Sequence, residues 1–319
     1  MRNRLAIVVP CYKEEAVLNE TTMRLSKVLD TLIEDEEIGS DSFILYVNDG
    51  STDNTWSVIR ELHSLNKYVK GISLAANVGH QNALWAGLTV AVEQADMIVS
   101  IDADLQDDVN AIKEMVVKYH AGCDVVYGVR NERKTDTWFK RTTALAFYKL
   151  MQVMGTKTVY NHADFRLMSK RATLQLLKYS ERNLFIRGLV PLVGYKTANV
   201  YYNRAERFAG ESKYPLSKML NFAVDGITSF SVKPIRLIMT LGGVFLFVAL
   251  AVLIWTLYSY KVGETVPGWS SLMLSVWFCS GCVLVALGVI GEYIGKIYVE
   301  TKGRPRFNVK ESLIDAVYD

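Results

Sequence analysis

Short apolar runs alternate with amphipathic stretches in the first part of the chain. Leu5 to Pro10 is apolar and rich in β-branched residues, and apolar positions recur at helical spacing from Glu15 to Leu32. Strands are predicted in the same way at Phe43 to Val47, Gly71 to Leu74 and Met97 to Ile101, and helices at Thr55 to Leu65, Gln81 to Ala95 and Asn110 to Ala121. This alternation predicts an α/β domain with a mostly parallel sheet, whose ligands bind beyond the carboxyl ends of the strands.

Two stretches without charged residues lie close together near the C-terminus. They run from Leu237 to Tyr260 and from Trp269 to Gly291, and each is long enough as a helix to cross a hydrocarbon core of about 30 Å. The connecting range 261–268 contains two glycines and a proline, which favours a short loop. We therefore expect a hairpin of two transmembrane helices. The alternative is a pair of buried helices in a soluble protein.

Basic residues flank these two stretches. Lys233 and Arg236 precede the first stretch, and Lys296 and Lys302 follow the second. Cytoplasmic segments next to membrane helices are enriched in lysine and arginine, so both chain ends and the α/β domain are predicted to be cytoplasmic. The expected location is the inner (plasma) membrane, crossed more than once.

The patterns divide the chain into four ranges. Residues 1–210 form the α/β domain, 211–234 a juxtamembrane amphipathic helix region, 235–295 the two transmembrane helices and 296–319 a cytoplasmic tail. A net charge of +3 is too small for a nucleic-acid-binding surface, so no nucleic-acid partner is expected. The four cysteines are few and irregularly spaced, which favours reduced side chains over a disulfide framework.

The most distinctive polar segment follows the strand predicted at Met97 to Ile101. Asp102, Asp104 and Gln106 alternate there and offer two carboxylates and an amide oxygen. Such hard oxygen ligands suit Mg²⁺ or Mn²⁺, and a divalent ion suits a diphosphate because it neutralises charge on the phosphate oxygens. The alternative is a solvated acidic loop without a ligand.

A second polar segment follows the strand predicted at Phe43 to Val47. Asp49 stands at the end of that strand, where its carboxylate can accept hydrogen bonds from a base or a ribose, and Gly50 permits a tight turn. A turn that only caps the next helix is the alternative. Because Tyr12 follows the first strand, Tyr12, Asp49 and Asp102 are expected at one edge of the sheet.

Four motifs in order resemble those of the GT-A glycosyltransferases of family 2. They are Pro10-Cys11-Tyr12-Lys13-Glu14, Asn48-Asp49-Gly50-Ser51, Asn77-Val78-Gly79-His80 and Asp102-Ala103-Asp104-Leu105-Gln106. Three later segments resemble the polyprenyl-phosphate branch of that family, which includes the bactoprenol glucosyltransferases and dolichyl-phosphate mannose synthase: Asp164 to Met168, Arg207 to Tyr214 and Gly291 to Gly295. The resemblance covers nearly the whole chain.

The resemblance implies a role for each matching residue. Nucleotide binding is assigned to Pro10, Tyr12, Glu14, Asp49 and Asp102. Metal binding is assigned to Asp102, Asp104 and Gln106, with Asp104 also counted as catalytic and Asp164 as the catalytic base. Phosphate binding is assigned to Arg130, Lys140, Arg141, Arg207, Ser212 and Lys213. For this last group, ordinary solvated loops and lipid-headgroup contacts are the alternatives.

The implied reaction is an inverting transfer of a hexose from a nucleotide-sugar to polyprenyl (undecaprenyl) phosphate, with UDP-glucose as the first choice of donor. GDP-mannose, UDP-GlcNAc and a UDP-amino-pentose are alternative donors. A non-catalytic nucleotide-binding membrane scaffold is the alternative of another class. The lipid bilayer is an expected partner, and Gly281 and Gly288 allow the close helix contact that a homo-oligomer would use.

Overall fold

The computed structural model of the chain describes residues 2–131, 162–182, 184–204 and 268–314, together with scattered positions between 235 and 261. The chain divides into two compact units. One contains Met1–Ala144, Lys157–Tyr214 and Arg304–Asp319, and the other contains Leu145–Thr156 and Pro215–Gly303. The polar C-terminal end of the chain therefore belongs to the same unit as the N-terminal α/β region.

An eight-stranded sheet organises the first unit, in the order β7-β5-β6-β4-β1-β2-β3-β8. The strands are β1 Leu5–Cys11, β2 Phe43–Asn48, β3 Val69–Leu74, β4 Met97–Ser100, β5 Val125–Arg130, β6 His162–Ser169, β7 Thr197–Tyr202 and β8 Val309–Ser312. Pairs β1–β2, β1–β4, β2–β3 and β5–β7 are parallel, whereas β6 and β8 run antiparallel to their neighbours. The prediction of a mostly parallel sheet is confirmed.

Helices cover both faces of this sheet, and the predicted helices are present within a few residues of their expected bounds. The helices are α1 Leu18–Glu34, α2 Thr55–Leu65, α3 His80–Gln94, α4 Ala111–His120, α5 Lys170–Leu177 and α6 Ile186–Leu189. Every residue of β1 and β2 is buried, which is why these strands read as continuous apolar runs rather than alternating ones. The core lies between the central strands and the helices on either face.

The second unit contains α7, Trp269–Thr301, a helix of 33 residues. Among the described residues, this is the one helix with a segment long and apolar enough to cross a membrane, Phe278–Thr301. It continues past Gly291, where the second transmembrane stretch was predicted to end. Every described position between 235 and 261 is helical. The two-helix hairpin and its orientation stay predictions.

The range 296–319 was predicted to be a cytoplasmic tail, and its described part has more structure than that. Its first residues complete α7, and Val309–Ser312 form β8, which pairs antiparallel with β3 at the edge of the sheet. Leu313 N also donates to Gly71 O at 2.8 Å. The C-terminal segment is therefore an integral part of the α/β sheet.

We expect Gly87→Ala to destabilise the first unit, because α3 approaches the sheet most closely at Gly87. An added Cβ would lie 2.3 Å from Val8 Cγ1 and 2.8 Å from Val47 Cγ2. Overpacking of this kind costs about 1–3 kcal/mol. The loss should appear as a lower midpoint of thermal unfolding, whereas Glu93→Ala, an exposed change on the same helix, should leave the midpoint nearly unchanged.

Candidate active site

The loops after β1 and β2 are hydrogen-bonded to each other at the carboxyl edge of the sheet. Lys13 N donates to Ser51 Oγ at 3.1 Å, and Glu14 N donates to Thr55 Oγ1 at 3.0 Å. Asn54 N donates to Glu15 Oε2 at 2.8 Å. The two loops therefore form one rigid surface next to the end of β4.

Asp49 links this surface to the loop after β3. Its two carboxylate oxygens accept hydrogen bonds from Val78 N at 2.7 Å and from Gly79 N at 3.0 Å. Gly50 has a φ of +58°, and a Cβ there would lie 2.4 Å from Asn77 N, so the two loops touch at a point that only glycine fits. Asp49 thus orients the turn that leads into α3, which begins at His80.

The antiparallel pairing of β4 with β6 brings two acidic residues together. Ser100 is paired with Arg166, and this register continued by two residues places Asp102 opposite Asp164. Ser100 Oγ also donates to Asp164 O at 2.5 Å. His80 stands between the two carboxylates, with Nε2 at 3.6 Å from Asp102 Oδ1 and 3.6 Å from Asp164 Oδ2. Two residues far apart in sequence therefore face one another at the site.

Asp164 is buried and surrounded by cationic side chains. Arg166 Nη2 donates to its Oδ1 at 2.6 Å, and Arg187 donates through Nε to Oδ1 at 3.1 Å and through Nη2 to Oδ2 at 2.9 Å. Gln81 Nε2 adds a contact of 3.4 Å to Oδ2. The side chain of Arg166 is only 2% exposed, whereas that of Arg187 is 33% exposed and reaches the solvent side of the site.

These contacts set the protonation states at the site. Burial raises the pKa of Asp164, but the hydrogen bond to His80 and the charges of Arg166 and Arg187 outweigh it and hold that pKa well below its usual value. Burial lowers the pKa of His80, and the hydrogen bond to Asp164 together with the charge of Asp102 raises it above its usual value. Asp164 is therefore an anion at neutral pH and a poor proton acceptor.

The segment Asp102 to Gln106 has a different electrostatic character. The pKa of Asp102 is raised to about 6, chiefly by burial and also by the charges of Asp164, Asp107 and Asp104, whereas the charge of His80 lowers it. Leu105 adopts a φ of +57°, an unfavourable conformation for a bulky residue, and its side chain is buried. Such strained turns are concentrated at functional sites. Asp102 thus lies where negative charge is in excess and a cation would be stabilised.

Four other predicted site residues, Pro10, Tyr12, Gln106 and Arg130, differ in burial and in hydrogen-bond partners. Pro10 is buried in β1, whereas the ring of Tyr12 is 44% exposed at the site edge. Arg130 donates through Nη2 to Asp107 Oδ1 at 2.9 Å, so it is held in an ion pair. The side-chain oxygen of Gln106 accepts a short hydrogen bond from Arg204 Nη2.

Five predicted phosphate-binding residues lie outside the described part of the chain: Lys140, Arg141, Arg207, Ser212 and Lys213. Their roles stay predictions. Among the described residues, no three His, Cys, Asp or Glu side chains are grouped closely enough to hold a metal ion by themselves.

Arg166 and Arg187 were not predicted as site residues. Arg166 could have been predicted from the sequence, because residues two apart on a strand share a face and Asp164 was already a candidate. No sequence pattern indicated Arg187, since it belongs to a short helix that reaches the site only through the tertiary fold. His80 had been noted as the last residue of the motif Asn77-Val78-Gly79-His80, without an assigned role at the site.

The model of glycosyl transferase family 2 matches residues 6–177, which contain both Asp102 and Asp164. The chain belongs to glycosyl transferase family 2. It is therefore a glycosyltransferase, and the four motifs identified above are those of its own family.

Relatives of the chain extend over nearly its full length. An uncharacterized glycosyltransferase of Bacillus subtilis (strain 168), YkoT, is 54% identical over 96% of this chain and 90% of its own. The bactoprenol glucosyl transferase of Shigella phage SfII is 39% identical over 97% of this chain and 98% of its own. Among solved structures, one similar to this chain is glucosyl-3-phosphoglycerate synthase from Mycobacterium tuberculosis, crystallised with Mn²⁺, UDP and phosphoglyceric acid. The match has a TM-score of 0.45 and 16% sequence identity, and it covers 71% of this chain and 76% of the synthase chain.

We expect Asp164→Asn to lower the free energy of unfolding by about 3–5 kcal/mol, because it removes the carboxylate that pairs with the buried guanidinium of Arg166 at 2.6 Å. The lowered pKa means that the carboxylate stabilises the fold fully above its unfolded pKa of about 3.9 and loses this effect as the pH falls toward the folded pKa. The difference in unfolding free energy between wild type and variant should therefore shrink below about pH 4.

Denaturant unfolding at pH 7, 5 and 3 measures this difference. Asp108→Asn serves as the control, because Asp108 is an exposed acid in the same region. A difference that stays constant down to pH 3 would show that Asp164 is not the stabilising anion described here.

Proposed function

We propose that this glycosyltransferase moves a hexose from a nucleotide-sugar to polyprenyl phosphate, with inversion at the anomeric carbon. The observation that carries the proposal is the meeting of Asp102 and Asp164 with His80 and Arg187 at the carboxyl edge of the sheet. That arrangement suits a reaction between two anionic reactants, since it provides sites for both a cation and a phosphate. The similarity to bactoprenol glucosyl transferases supports the choice of acceptor.

Asp102 and Asp104 are the proposed metal ligands. Burial is the main cause of the raised pKa of Asp102, and repulsion by the carboxylates of Asp164, Asp107 and Asp104, which a cation would relieve, raises it as well. Two protein carboxylates are enough for Mg²⁺ or Mn²⁺ in such sites, because these ions commonly take their other ligands from substrate phosphates and water. When bound, the ion neutralises charge on the diphosphate leaving group. Gln106 is a weaker candidate, since Arg204 already binds its oxygen.

Asp164 has a different proposed role from the catalytic base implied by the family resemblance. A phosphate monoester has a second pKa of about 6, so the acceptor oxygen is already largely anionic at neutral pH and needs no strong base. The low pKa of Asp164 makes it unsuited to take a proton. We assign it instead to hold His80 and Arg187 in place, so that the exposed side of Arg187 binds phosphate oxygens.

The nucleotide is proposed to bind over the loops after β1 and β2. The exposed ring of Tyr12 offers a surface on which a base can stack. Asp49 contributes indirectly, because its carboxylate already binds Val78 N and Gly79 N and so fixes the wall of this pocket. UDP-glucose is the first donor to test, with GDP-mannose, UDP-GlcNAc and a UDP-amino-pentose as the alternatives.

The acceptor is a lipid, and α7 is proposed to supply the membrane attachment. A helix of 33 residues is about 50 Å long, which exceeds a hydrocarbon core of about 30 Å. The charged residues Glu292, Lys296 and Glu300 lie in its last turns, where the helix would leave the hydrocarbon on the cytoplasmic side. The site would then be on the side where nucleotide-sugars are made.

A screen of the purified full-length protein tests the reaction. Each radiolabelled nucleotide-sugar is supplied with Mn²⁺ and undecaprenyl phosphate in detergent micelles, and sugar transferred to the lipid is counted after extraction. The proposal expects lipid-linked sugar with one donor and none when undecaprenyl phosphate is left out. Nucleotide binding without transfer from any donor would favour a non-catalytic scaffold.

We expect Asp104→Asn to reduce transfer by at least about a hundredfold, because it removes one of two charged ligands that hold the ion on the leaving group. The fold should be unaffected, since Asp104 is partly exposed and its contact to Gln106 N at 3.2 Å is kept by asparagine. Asp108→Asn is the matched control and should transfer normally. Near-normal transfer by Asp104→Asn would rule out the metal assignment.

A further inference from the structure

Arg306 links the C-terminal segment to parts of the first unit other than the sheet. It lies between the end of α7 and the start of β8, and its guanidinium stacks on the ring of Trp85 at 4.2 Å. The same group donates through Nη2 to Tyr179 O at 2.9 Å and to Glu181 O at 2.8 Å. One side chain thus contacts two separate elements of the first unit.

Those two elements lead to two of the three cationic side chains around Asp164, the third being Arg166 on β6. Trp85 belongs to α3, whose first residue is His80. Tyr179 and Glu181 belong to the segment that follows α5 and leads to α6, which carries Arg187. Arg306 therefore links α3, which begins at His80, to the segment that leads to the helix carrying Arg187.

A second contact already joins α3 to α6 close to the site. Gln81 accepts a hydrogen bond from Ile186 N at 3.1 Å through Oε1 and contacts Asp164 Oδ2 at 3.4 Å through Nε2. Arg306 adds a further, separate point at which α3 is linked to this part of the chain.

We propose that Arg306 is a positioning residue: it fixes α3 against the segment leading to α6, and thereby sets the placement of His80 and Arg187 around Asp164. The expected effect of Arg306 on turnover rests on the proposed transferase function. Its expected effect on the position of α3 and of the segment leading to α6 does not. The C-terminal segment would then complete the active site without touching a substrate.

Arginine is well suited to this contact. Its planar guanidinium stacks on the buried indole of Trp85 while its N–H groups reach carbonyl oxygens at the side. Those carbonyls follow the C-terminus of α5, where free backbone oxygens and the helix dipole favour a cation. Lysine would keep the charge and lose the planar stacking and the fork of donors.

The C-terminal segment has a second anchor, and this provides a control. Glu311 on β8 accepts hydrogen bonds from Trp56 Nε1 at 2.9 Å and from Arg60 Nη2 at 2.5 Å. Both partners lie on α2, which contributes no side chain to the Asp164 cluster. Glu311→Gln therefore loosens the segment without disturbing the contact to α3.

The experiment compares Arg306→Ala, Arg306→Lys and Glu311→Gln with wild type, each as the full chain in nanodiscs. Turnover and KM are measured with undecaprenyl phosphate and the preferred donor, and amide hydrogen exchange is followed by mass spectrometry. We expect Arg306→Ala to lower kcat about tenfold with a change in KM for the donor of less than about twofold, since misplaced groups slow the chemical step. Exchange should rise in residues 186–189 and in the first turn of α3.

Arg306→Lys should recover part of the lost kcat, and Glu311→Gln should stay within about twofold of wild type, with faster exchange confined to β3 and β8. Wild-type kcat in Arg306→Ala, or equal losses in Arg306→Ala and Glu311→Gln, would overturn the proposal. Unchanged exchange in residues 186–189 would also overturn it. If wild type transfers no sugar, the proposed function fails, and the exchange measurement still decides the role of Arg306.

Discussion

A buried carboxylate must be matched by positive charge, and Asp164 imposes that condition on the whole site. Its side chain is 5% exposed, and an ionised group at such a position is costly unless it is paired and hydrogen-bonded. The pairing is met by one arginine from the same strand, one from α6 and a histidine at the start of α3. Three elements from distant parts of the sequence are therefore held at one point. The fold of the chain itself thus sets the positions of these cationic groups.

The acidic residues of the site fall into two groups with different surroundings. Asp102 and Asp104 lie where negative charge accumulates, so they are suited to a cation. Asp164 lies among cations, so it is suited to keep guanidinium and imidazole groups oriented. Asp102 and Asp104 follow β4, and Asp164 lies on the neighbouring antiparallel strand β6, so the two kinds of carboxylate lie side by side. The proposed reaction, with its diphosphate leaving group and phosphate acceptor, would use both.

Much of the sheet could be predicted because its central strands are fully buried and read as unbroken apolar runs. Asp49 and Asp102 were predicted at the site because parallel strands end at a common edge. Arg187 could not be predicted, since its place depends on packing over long sequence distances. Strand β8 was missed because an edge strand of four residues, two of them charged, has no apolar signature. Helix α7 extends beyond the charge-free stretch from which it was predicted, because charged residues end a membrane segment but do not end a helix.

The pairing of β8 with β3 has a consequence for biosynthesis. Strand β3 leaves the ribosome early, whereas β8 becomes available only after the whole of α7 has been made. Until then, β3 presents an open row of backbone donors and acceptors, the kind of edge that invites pairing with other chains. Completion of the sheet therefore depends on synthesis of the last residues of the chain, and a nascent chain stalled before β8 would be a target for chaperones or for aggregation.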